Sequence, residues 1–177
     1  MFKGIKDKFK RKSSEKYFAA NVGSRVNCSR VNKGVSKIGC IVDLDLVDNA
    51  NMFYDLIKEH KLKPNAVKII GYKKVHDKNS PYSTPVFSGS DIGYNGKIEN
   101  NYALEFLNRE FDVLISYYNT DNLALKLMTL QTRARVKVGF GEVDCNLNDL
   151  IMNIPLKDFS LFKAELGKYL KVLNELE

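Results

Sequence analysis

Phe111–Phe140, FDVLISYYNTDNLALKLMTLQTRARVKVGF, is the stretch whose reading decides the fold. β-Branched and aromatic residues run from Phe111 to Tyr118, and a polar turn follows at Asn119-Thr120-Asp121-Asn122. Leu123, Leu127, Leu130 and Ala134 then recur at helical spacing, and Val136 to Phe140 reads as a second strand. Strand, turn, helix and strand in one short run form a βαβ unit, which needs a right-handed crossover and therefore parallel strands.

The same pattern precedes it. In Lys37–Leu46, KIGCIVDLDL, the residues Ile38, Cys40, Val42, Leu44 and Leu46 alternate along one face while Ile41 fills the other. Asp48 or Asn49 caps a helix extending to Leu62, with Met52, Phe53, Leu56 and Ile57 inward. Pro64-Asn65 stops that helix and Ala66–Tyr72 is the next strand. Two βαβ units predict an α/β fold: a single doubly wound, mostly parallel sheet of four to five strands flanked by helices. Asn100–Arg109 reads as a helix burying Tyr102, Phe106 and Leu107. Leu150–Ile154 reads as a final strand ended by Pro155. A closing helix from about Asp158 to Leu176 turns Phe159, Phe162, Leu166, Tyr169, Leu170 and Leu173 to the sheet.

Residues 73–98 interrupt the alternation with two of the four prolines and three glycines. A connection of this length inside a compact domain is commonly functional. Tyr82, Phe87, Ile92 and Tyr94 allow it to fold back as a packed flap, with 81–97 as a lid.

Charge divides the chain differently. The 177 residues carry a net charge of +7, but residues 1–37 hold eleven basic groups against two acidic ones, and the remainder holds 17 against 19. Domain organisation is thus a basic leader and linker, 1–37, on a near-neutral α/β domain, 38–177. In the leader Phe2, Ile5 and Phe9 are spaced as one helical stripe, surrounded by Lys3, Lys6, Lys8, Lys10, Arg11, Lys12 and Lys16, with Arg25 and Arg30 in the linker. A helical leader of this kind suits an acidic lipid surface or nucleic-acid phosphates, or rests its stripe on the body. No apolar run is long enough to span a bilayer, and the basic start leads into no signal-peptide core. Cys28, Cys40 and Cys145 are odd in number and widely spaced, which fits free thiols in a reducing cytoplasm.

In an open parallel sheet, ligands bind beyond the C-terminal strand ends. The sequence delivers Asp43, Asp45, Asp48, Tyr72, Asn119, Thr120, Asn122, Phe140 and Glu142 there. From these, Asp43, Asp45, Asn119, Thr120 and Asn122 are the ligand-binding candidates, with Phe87, Asp91, Tyr94 and Lys97 as loop candidates. Neither GxGxxG nor GxxxxGK[ST] occurs, GxSxG is absent, and His60 and His76 have no partner at metal-ligand spacing. The sequence therefore nominates no catalytic residue, no metal ligand and no cofactor.

Two resemblances add to this. Phe111-Asp112-Val113-Leu114-Ile115 followed by Val138-Gly139-Phe140 resembles part of the N-terminal domain of heptosyltransferase-type glycosyltransferases. Those enzymes use a second Rossmann-like domain for the sugar nucleotide, for which this chain has no room. Over most of the chain, Ile38-Gly39 with Asp43, Gly71-Tyr72, Phe87, Asp91, Tyr94, Gly96-Lys97, Phe111-Asp112, Asn122, Ala134 and Lys137-Val138-Gly139 are similar to a small uncharacterised family of Bacteroidota α/β proteins. The pattern departs where that family has tryptophan for Tyr94 and proline for Ile98. The resemblance implies a cytoplasmic bacterial protein, without an activity to carry over.

Together these observations predict a non-enzymatic binding or adaptor protein whose leader docks on an anionic partner, RNA or ribosome on one hand and the inner-membrane surface on the other. A protein partner is a further option. The alternative is a Rossmann-type domain binding a small ligand or nucleotide sugar in the strand-end crevice.

Overall fold

The computed structural model describes residues 2–24, 26–29, 34–77, 79 and 81–172. Arg25, Arg30 and the closing helix beyond Val172 lie outside them.

Helix α1 (Phe2–Asn21) precedes strand β1 (Ile38–Asp43), a 3-10 turn at Ala50–Tyr54 running into α2 (Asp55–Glu59), and β2 (Val67–Tyr72). Then come β3 (Val86–Phe87), α3 (Asn101–Leu107), β4 (Glu110–Tyr117), α4 (Leu123–Gln131), β5 (Arg133–Phe140), β6 (Leu150–Met152) and α5 (Phe159–Val172). The sheet has six strands in the order β3-β2-β1-β4-β5-β6, one or two more than the alternation predicts, and every pairing is parallel. The surplus comes from the ends. β3 arises inside the connection read as a loop, because Val86 and Phe87 continue the register of Gly71 and Tyr72. β6 is the short Leu150–Met152 segment, paired with Val138–Phe140. Chain progression runs outward from β1 to β3, then returns to the centre and runs outward from β4 to β6. The reversal between β1 and β4 is the topological switch point.

Each face of the sheet has its own core, as the two-residue period of a strand requires. Ile41, Ile70, Leu114 and Phe87 lie under α1, α3 and α4 with Phe18, Phe106, Leu125 and Met128. Ile38, Cys40, Val42, Val113, Ile115 and Tyr117 lie on the other face with Phe53, Leu56, Phe162, Leu166 and Leu170 of the 3-10 turn, α2 and α5. Burial pushes the Cys40 thiol far up, away from reactivity, and all three cysteines are free.

Several boundaries shift for local reasons. The helix expected up to Leu62 ends at Glu59, and its first turn is 3-10, capped by the Asn49 side chain accepting from the Asn51 N–H. Ala134 belongs to β5 rather than to α4, because Thr132 leaves helical geometry and bonds back from its hydroxyl to the Met128 carbonyl. Tyr102 and Tyr169 project into solvent instead of packing inward.

At the N-terminal strand ends a buried carboxylate fastens the linker. Asp112, only 2% exposed, accepts from the Ser36 N–H and hydroxyl and the Lys37 N–H at 2.8–2.9 Å, and the Arg135 guanidinium lies 3.3 Å away. Removing one member of such a set leaves the others desolvated and uncompensated. Asp112→Ala is expected to lower stability by about 3–5 kcal/mol, read as a shift of the urea midpoint without a change in slope.

Candidate functional site

Asp43 ends β1 and is 3% exposed. Its carboxylate accepts from the Asp45 N–H at 3.0 Å and, more loosely, from the Thr120 hydroxyl at 3.4 Å. This brings two sequence candidates, Asp43 and Thr120, together across the switch point. Asp45 serves a different purpose: it accepts from the Lys74 N–H at 2.8 Å and lies 3.7 Å from the Lys73 ammonium. Asn119 is half-buried in the same loop. Asn122 is a helix cap, its side-chain oxygen accepting from the Ala124 and Leu125 N–H groups at the start of α4.

The loop candidates divide. Phe87 is fully buried against Tyr72, ring centroids 5.5 Å apart. Asp91 is also buried, and its carboxylate accepts from the Ser88 N–H and the Asn100 amide, so both hold the flap in shape. Tyr94 and Lys97 are exposed. The flap is far from structureless, with two 3-10 turns and a bridge between Ile92 and Ile98.

The leader carries the main surprise. The hydroxyl of Ser14, fully buried, donates to the Gly93 carbonyl at 2.8 Å and accepts from the Gly96 N–H at 2.9 Å. Ser13 accepts from the Asn95 N–H at 3.1 Å. Both donors are presented by a left-handed turn, Asn95 at φ 53° and Gly96 at φ 69°. Gly96 has a second constraint, since a Cβ there would come within 2.6 Å of the Tyr17 ring. Phe18 is buried beside α4, with the Lys126 ammonium 4.7 Å from its ring, and Gln131 donates to the Gly96 carbonyl at 2.7 Å. α1, the flap and α4 are thus one junction, and the C-terminal half of α1 belongs to the body.

The N-terminal half of α1 then overhangs the strand ends. It walls a cleft of about 600 Å³ with Lys3, Asp7, Lys10 and Arg11 on one side. Tyr72, Gly89 and Ser90 face them, and Asn122 to Ala124 close the third side. Sequence reasoning placed Tyr72 at the strand ends and Lys10 and Arg11 in the leader, and had no signal to put them in one space. The junction of Ser13 and Ser14 with residues 93–96, 79 to 82 residues away in sequence, does so. No group of three or more His, Cys, Asp and Glu able to hold a metal occurs among the described residues.

These features define a parallel α/β protein with a walled cleft beside its switch point. The chain belongs to a family of unknown function, DUF6913, whose model matches residues 6–173. No curated protein and no solved structure matches it, so the glycosyltransferase resemblance is carried no further.

Burial, opposed by the Asp45 N–H and reinforced by the Asp45 charge, raises the Asp43 carboxyl above the ordinary carboxylate value; Thr120 and Lys73 act in the lowering direction. An acid raised on folding binds more protons in the native state, so it diminishes stability as pH climbs through that range. Asp43→Asn should therefore be more stable than the parent at neutral pH, with the difference fading below about pH 4, where the unfolded carboxylate is protonated too; thermal melts across pH measure it. Ser14→Ala leaves a buried carbonyl and N–H unpaired and should cost about 1–3 kcal/mol, with faster amide exchange confined to α1 and 89–98.

Proposed function

We propose that this is a peripheral binding protein that docks on an acidic lipid surface through the outer face of α1. The observation that carries the reading is the direction of the leader's apolar stripe. Phe2, Ile5 and Phe9 are 87%, 49% and 63% exposed. At about 100° per residue they lie roughly opposite Ser14 and Phe18, which anchor the helix. The stripe therefore points away from the body instead of resting on it. Lys6, Lys8, Lys12 and Lys16 are exposed around the same helix, and among the described residues none of them has a carboxylate within salt-bridge distance.

A bare apolar stripe edged by cations favours a lipid interface over phosphates alone. A nucleic-acid backbone would neutralise the lysines and leave three large apolar side chains with nothing to enter. An anionic bilayer accommodates both: roughly 1 kcal/mol per lysine near the surface, and up to about 1.5–3 kcal/mol for each large apolar side chain taken out of water. No helix among the described residues is long and apolar enough to cross a membrane, and the proposed mode is surface attachment by α1.

Phosphatidylglycerol-containing vesicles should sediment the full chain, and phosphatidylcholine vesicles should leave it in solution. Because Ile5 and Phe9 are exposed, Ile5→Gln/Phe9→Gln should fold normally and bind acidic vesicles at least about tenfold more weakly. Binding should also weaken between about 0.1 and 0.5 M salt as screening shortens. Vesicle affinity unchanged in the double variant, or tight RNA binding indifferent to it, would overturn the reading.

A further inference from the structure

We infer that the cleft beneath the inner face of α1 binds a small phosphate-bearing molecule, with Tyr72 as its uncharged recognition group. This goes beyond the lipid reading and uses the opposite side of the helix. The first observation is the cavity itself, whose volume of about 600 Å³ lies in the range that small ligands occupy. It sits where an open parallel sheet places ligands, beyond the C-terminal ends of the strands and next to the reversal in strand order.

The second observation is a polar atom without a partner. Tyr72 is 6% exposed, its ring packed on Phe87, yet among the described residues its hydroxyl has no hydrogen-bond partner. That hydroxyl lies 3.8 Å from where a Gly89 Cβ would be, and Gly89 lines the cleft, so the oxygen is directed into the open space. The ring is buried, while the oxygen at its tip is open to the cleft, where a ligand can reach it.

Charge names the ligand class. Lys3, Lys10 and Arg11 line the cleft against two carboxylates, Asp7 and Asp121. Asp121 is paired with the Lys126 ammonium at the start of α4, and the Arg11 guanidinium with Glu15 at 2.8 Å. That leaves Lys3 and Lys10 against Asp7, a small positive surplus along one wall, suited to an anionic phosphate monoester. Ile92, Leu123 and Ala124 give the same space an apolar floor, which takes the organic body of the molecule. Inorganic phosphate alone would leave that floor uncovered.

Phenyl phosphate, inorganic phosphate and phenol are the probes, titrated into the full chain and followed by NMR with thermal melts alongside. Phenyl phosphate should bind most tightly, inorganic phosphate weakly and phenol least, with shifts at Gly89, Ser90 and Leu123. Tyr72→Phe should melt as the parent does and bind phenyl phosphate about tenfold more weakly, the effect of removing one hydrogen bond to a charged group. Lys10→Gln/Arg11→Gln should bind more weakly still. Ile5→Gln/Phe9→Gln, on the outer face, should bind as the parent does, so loss of lipid docking and loss of this site are separately visible. Absence of binding by phenyl phosphate, equal affinity for inorganic phosphate, or affinity unchanged in Tyr72→Phe would each overturn the inference.

Discussion

One hydroxyl group holds this architecture to its purpose. Ser14, fully buried, sits where helix α1 crosses the flap, donating to one backbone carbonyl and accepting from one backbone N–H. Such a pair of bonds is modest in net worth but costly to leave unmade. It sets the rotation of α1 about its own axis. With Ser14 and Phe18 turned inward, Asp7 and Arg11 fall on the side that overhangs the strand ends, and Phe2, Ile5 and Phe9 must face solvent. A rotation of half a turn would exchange the two faces and empty the cleft of its cations.

The two ends of the sheet are built on opposite principles. Below β4, the Asp112 carboxylate is surrounded by donors and by Arg135, and the linker is pinned to the body there. Above β1, the Asp43 carboxylate is equally hidden but more weakly served, and burial works against its charge. Similar side chains thus stabilise one end and strain the other. That polarity matches the general placement of ligands at the C-terminal strand ends of parallel sheets, with the opposite end given over to fastening.

Much of the fold was legible because its signals are local. The two-residue period of Ile38, Cys40 and Val42 against Ile41 assigns these residues to opposite cores, as observed. The asparagines before α3 and α4 cap as their chemistry suggests. What escaped was settled by distant partners. β3 is only two residues long and exists because β2 offers it an unpaired edge, so no periodicity could announce it. Ala134 continued a helical repeat, yet the chain turned at Thr132 to reach β4. The cleft was the least legible of all. Its lysines looked like part of a uniform basic leader, and a contact spanning 79 residues divided them between an inner and an outer face.

The sheet's two margins have a consequence for how the molecule keeps company. β3 and β6 are two and three residues long, flanking four strands of six to eight. A long bare margin invites a neighbouring chain to add itself as a further strand, and truncating the outermost strand is a recognised safeguard. Here each margin offers a stub too small to template that addition. Self-association through continuous main-chain pairing along the outermost strands is thereby discouraged.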